Sequence, residues 1–129
     1  MRLLESAVRA AQLGGIHAGG GVALARAAQE IKISEELNDE QKIGFNLVLN
    51  SIKEPIKQMA KNAGDSPDII VKMVESESAE IGYDFATGEL VNMSEAGIID
   101  PVLVTCSALR NAVSVASTLI TTNYAIIQE

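Results

Sequence analysis

Apolar positions along this chain recur mostly at helical spacing. Leu3, Leu4, Ala7, Val8 and Ala11 form one stripe with Glu5, Arg9 and Gln12 opposite, which predicts a helix over 3–13. Gly14-Gly15 ends it, and the freedom of two adjacent glycines marks a hinge. Ile16-His17-Ala18 then leads into Gly19-Gly20-Gly21, after which Val22-Ala23-Leu24-Ala25-Arg26-Ala27-Ala28 resumes a helix. Residues 34–39 are polar and acidic, a surface loop in which Asn38 or Asp39 can cap the next helix. Ile43, Leu47, Ile52, Ile56, Met59 and Ala63 carry helical spacing across 40–63. Pro55 lacks an amide proton and predicts a kink or split there, and Gly64 is placed to end the segment.

Ser66-Pro67-Asp68 has the order of a helix start: a capping hydroxyl, a first-turn proline and an acid for the dipole. That helix is predicted to run to about Val74, and 75–80 is polar. Tyr83 to Asn92 reads as a hairpin turning near Ala86-Thr87-Gly88. Asp100-Pro101 opens a last helix from Val102 to about Thr122, with Asp100 as its cap. Ala108, Ala112, Ser114, Ala116 and Ser117 put small residues on most of its faces, which predicts a helix buried at the centre of a bundle. The most apolar stretch, 102–127, is interrupted by Arg110, Asn111 and several Ser and Thr, so it reads as a core helix and not a bilayer span. Glu5 and Arg9 likewise interrupt the N-terminal run before a signal-peptide core forms. The pattern predicts a mainly α fold, a helical bundle with one small β-hairpin.

Composition sharpens this. The 129 residues are 47% hydrophobic but only 3% aromatic, without tryptophan, so the core must be aliphatic. A formal charge of −7 repels phosphate backbones and argues against a nucleic-acid partner. The single cysteine, Cys106, excludes an internal disulfide; in an apolar run it is expected to be a buried thiol, consistent with a reducing, cytoplasmic setting.

Candidate chemistry is sparse. Gly19-Gly20-Gly21 before a helix could offer amides to phosphate, but no Gly-Lys-Ser/Thr follows, so it is not a P-loop, and close helix packing explains it equally. His17 is the sole histidine and would need Cys106 to begin a metal site; it is expected in a loop or at the surface. No Gly-x-Ser-x-Gly elbow is present. Asp100 can cap a helix or accept hydrogen bonds from the paired hydroxyls of a sugar. Glu75, Glu77 and Glu80 lack EF-hand spacing and read as a solvated face. A small enzyme cradling phosphate on the three glycines would lack any accompanying catalytic set.

Three stretches carry a resemblance. His17-Ala18-Gly19-Gly20-Gly21-Val22-Ala23-Leu24, then Gly82-Tyr83-Asp84-Phe85-Ala86-Thr87-Gly88-Glu89 with Asn92-Met93, then Gly97-Ile98-Ile99-Asp100-Pro101 with Val104-Thr105, Ser107-Ala108-Leu109, Ala116 and Ile120-Thr121-Thr122 resemble, in order and spacing, motifs of the group I chaperonins, the GroEL type. The resemblance implies that 1–14 is an intermediate-domain helix and hinge, with Gly15 at the hinge itself, and that 15–129 is the C-terminal part of the equatorial ATP-binding domain. It implies an ATP-dependent chaperone that assists protein folding, a homo-oligomeric double ring. In that family ATP binds with magnesium, and unfolded polypeptides and a co-chaperonin bind an apical domain that this stretch does not include. It further implies that Gly20, Asp84, Phe85, Ala86, Ile98 and Asp100 line the adenosine side of the nucleotide. No metal ligand is implied here, since the phosphate and magnesium loops fall elsewhere in the family's sequence.

Three positions depart from the family. Leu3 stands where the family has its catalytic aspartate, and an alkyl group can neither orient water nor accept a proton. Asp84 replaces the usual asparagine and Phe85 a small residue. The expectation is a chain that alone neither hydrolyses ATP nor folds clients and binds no cofactor; the alternative is a divergent, non-catalytic paralogue acting as an interaction module. A cut domain is also expected to expose apolar surface and self-associate.

Overall fold

The computed structural model describes residues 2–126 and contains, in chain order, α1 (Arg2–Gly14), β1 (Ile16–Ala18), α2 (Val22–Glu30), α3 (Asp39–Ser51), α4 (Glu54–Ala63), α5 (Pro67–Ser76), β2 (Ile81–Asp84), β3 (Glu89–Asn92), β4 (Ile99–Pro101) and α6 (Val102–Ile120). The fold is mainly helical with a small hairpin. Two compact units divide it, Ile16–Asp100 and the pair of segments Met1–Gly15 with Pro101–Glu129.

In the Ile16–Asp100 unit, α2, α4, α5 and the hairpin enclose the core. Val22, Ala25, Ile56, Ala60, Ile70, Val71, Val74, Tyr83 and Met93 are its buried members. Pro55 splits the predicted long helix: α3 ends at Ser51 and α4 starts at Glu54 with the proline in its first turn. Asn38 caps α3 by accepting from the Gln41 amide at 2.8 Å, while the Gln41 side chain accepts from the Asn38 amide at 3.1 Å. β2 and β3 pair antiparallel, with Tyr83 opposite Leu90 and Asp84 opposite Glu89. A second pairing, β1 with β4, was not foreseen, because three-residue strands carry too little alternation to be read.

In the other unit α1 packs along α6. Three expectations fail here. Asp100 does not cap α6: it lies in β4, Pro101 occupies the cap position, and the first helical amide, that of Val102, donates to the Gly15 carbonyl at 3.0 Å. The orphan donor thus already has a backbone acceptor. Nor is α6 buried. None of its residues is, and Leu119 and Ile120 are 70% and 81% exposed. By length and composition α6 could cross a bilayer, but Arg110 and Asn111 interrupt it midway. Cys106, expected to be buried, is exposed for the same reason: within its unit α6 has only α1 against it.

Candidate functional site

The triple glycine forms a tight turn in which Gly20 and Gly21 adopt backbone that favours glycine. Gly20 and Gly21 have φ of 62° and 75°, a region L side chains avoid. A Cβ on Gly21 would stand 2.9 Å from the Ile56 nitrogen, and one on Gly19 would stand 3.1 Å from the Ile98 oxygen. The turn closes through Val22, whose amide donates to the Gly19 carbonyl at 3.2 Å.

Around this turn three separated segments meet. The Gly19 amide donates to the Ile98 carbonyl at 2.9 Å. A Cβ on Gly20 would lie 3.3 Å from the Met93 methyl and 3.9 Å from the Tyr83 carbonyl. Met93 is fully buried, and its carbonyl accepts from the Ile98 amide at 2.8 Å. So Gly20, Tyr83 next to Asp84, and Ile98 two residues before Asp100 gather around Met93.

Each implied site residue has a definite place. The Asp84 carboxylate is engaged in its own turn, accepting from the Ala86 amide at 2.8 Å and the Thr87 hydroxyl at 3.1 Å. The Phe85 ring packs on the core and meets Tyr83 edge-on, centroids 5.0 Å apart. Ala86 is exposed, Ile98 half-buried. Asp100 is exposed, and its carboxylate has no hydrogen-bond or ion-pair partner among the described residues. Leu3 lies on α1, and its side chain falls outside the described residues. His17 is half-buried beside the Ala18 carbonyl, with Nδ1 at 2.8 Å.

Tyr83 anchors the hairpin from inside. Its hydroxyl donates to Asp65 at 3.2 Å. Burial, then the Asp65 charge and hydrogen bond, hold its phenol above the usual value. Sequence reading missed Met93 as the hub and Arg26 as a clamp described below; the one signal for Arg26 is a lone cation set within the apolar run Val22–Ala28 of α2.

The sequence profile of the TCP-1/cpn60 chaperonin family matches residues 4–129. The chain belongs to this family. Among solved structures, a group III chaperonin in the open state superposes on this chaperonin chain with a TM-score of 0.82 at 28% identity, over 91% of this chain and 25% of that one. An open-state monomer of a group II chaperonin from Methanococcoides burtonii gives a TM-score of 0.74 at 21% identity, over 83% of this chain and 28% of that one, a likeness of fold. The chaperonin chain described here therefore spans about a quarter of the length of these relatives.

Proposed function

We propose that this chain supplies the adenosine side of a nucleotide site in an ATP-driven chaperonin of the group I type, acting as part of a homo-oligomer. The observation that carries the reading is the convergence of the glycine turn, the Asp84 turn and the Ile98–Asp100 segment about Met93. The group I assignment rests on the residue motifs of those same segments. Asp100 offers an exposed carboxylate with no partner among the described residues, the chemistry that accepts hydrogen bonds from a ribose diol. Gly20 brings backbone to the site without a side chain in the way.

The residues fit a nucleoside better than a triphosphate. ATP with magnesium would supply the transferable phosphoryl group and its charge compensation; this chain's own part is to hold the sugar and base. No group of three or more His, Cys, Asp or Glu among the described residues is arranged for a metal. With Leu3 at the aspartate position, the 129-residue chain alone neither hydrolyses ATP nor folds clients. Phe85 favours a second reading, a divergent chaperonin whose site has decayed, since its ring is committed to Tyr83.

Titrating adenosine into the labelled chain tests the proposal. Amide signals of Gly20, Asp84, Ala86, Ile98 and Asp100 should shift together, and Asp100→Asn should weaken binding about tenfold, the worth of a charged hydrogen bond. No shift at millimolar adenosine would sink it.

A further inference from the structure

We propose that Arg26 is the positioning residue of this site, a built-in cation whose guanidinium fixes strand β2, and so the Asp84 turn, against the helix that carries the glycine turn. This rests on the nucleotide reading above for its purpose, but not for its geometry.

Arg26 lies one turn into α2 and reaches four backbone carbonyls. Nη1 donates to Glu77 at 2.9 Å, and Nη2 approaches Val74 at 2.9 Å, Ser78 at 2.5 Å and Ile81 at 2.8 Å. Val74 lies in the last turn of α5, and Glu77 is its C-cap. The Val74 carbonyl also accepts from the Glu77 amide at 3.3 Å and the Ser78 carbonyl from the Ile81 amide at 3.0 Å, so the guanidinium fills their second acceptor positions, and a cation suits the negative end of the dipole. No glycine closes α5; the segment after it is Glu77-Ser78-Ala79-Glu80. Arg26 therefore adds to the backbone cap at Glu77 a bond from a distant helix. Its Nε is buried without a partner, a desolvation cost accepted only because the other donors are so well used.

The geometry transmits this to the site. α2 runs beside β2: Arg26 holds the Ile81 carbonyl, Val22 abuts Gly82, and Gly20 approaches the Tyr83 carbonyl. The next residue is Asp84. A planar, multi-donor guanidinium can hold a cradle of divergent carbonyls that a point charge on a lysine stem cannot.

The test compares the chain with its Arg26→Ala and Arg26→Lys variants by amide hydrogen exchange and adenosine titration. Exchange in Arg26→Ala should rise about tenfold at 77–88 and at the glycine turn, with α4 amides unchanged, as expected for loss of local bonds. Millimolar methylguanidinium should restore protection and adenosine affinity in Arg26→Ala, and Arg26→Lys should recover only part. A rise spread equally over α4 and α5, or one that methylguanidinium does not reverse, would overturn the positioning role, as would no rise at all. If Arg26→Ala does not fold, Arg26→Lys decides: protection at 77–88 equal to that of the parent chain overturns the proposal. Absence of adenosine binding by the parent chain counts against the nucleotide reading alone, because the exchange arm still judges the clamp.

Discussion

Gly19 and Ile98, far apart in sequence, share a backbone hydrogen bond of 2.9 Å, and a Cβ on Gly19 would stand only 3.1 Å from the Ile98 oxygen. That bond ties the glycine turn to the segment ending in Asp100. That close approach favours a small residue at Gly19, while positive φ favours glycine at Gly20 and Gly21.

Glycine replacements should separate by site. Gly21→Ala combines an unfavourable φ of 75° with a Cβ 2.9 Å from the Ile56 backbone, and should cost about 3 kcal/mol. Gly44→Ala sits within α3 with nothing within 4 Å, and should gain about 0.5–1 kcal/mol. Urea denaturation of both variants checks the contrast.

Asp84 accepts two bonds within its own turn. Asp84→Ala should cost about 1–2 kcal/mol by losing both, while Asp84→Asn keeps an acceptor for the Ala86 amide and should cost less than about 1 kcal/mol. Removing the negative charge should strengthen binding of adenosine diphosphate severalfold yet leave adenosine unchanged, since only the diphosphate is charged. Calorimetric titration of both ligands distinguishes these effects.

Tyr83 holds its proton more tightly when folded than the ordinary phenol of pKa 10.0. Its contribution to stability is complete below that value and is lost as pH rises beyond it through the raised folded value, because the unfolded chain releases the proton first. Tyr83→Phe should flatten this alkaline limb of the stability profile. Equal slopes for the two proteins in denaturant melts above pH 10 would refute the assignment.

The α1–α6 unit leaves Leu4, Leu13, Val115, Leu119 and Ile120 more than half exposed. Such apolar area drives association. Sedimentation should show concentration-dependent oligomers, and Leu119→Glu with Val115→Lys should shift them toward monomer.

Local chemistry was legible in the sequence where a residue acts on its own neighbours. The Asn38–Gln41 cap, the break at Pro55 and the hairpin all follow from short-range rules. What failed depended on distant partners. Asp100 lost its capping role because Gly15 supplies the acceptor from across the chain. The apolar composition of α6 could not reveal that, within its unit, α1 is the helix packed along it. Of the site, the motif residues fall on three segments that the fold brings together, but the carbonyl cradle of Arg26 spans about fifty positions of sequence and leaves no periodic trace.

Met93, sealed between Gly20 and Gly82, gives the molecule an internal recorder. A thioether gains a bulky, polar oxygen on oxidation, and this one has neither space nor water to accept it. Peroxide can therefore reach the sulfur only when the glycine turn and hairpin part, so the rate at which this methionine turns to sulfoxide counts how often the chaperonin fold comes open there.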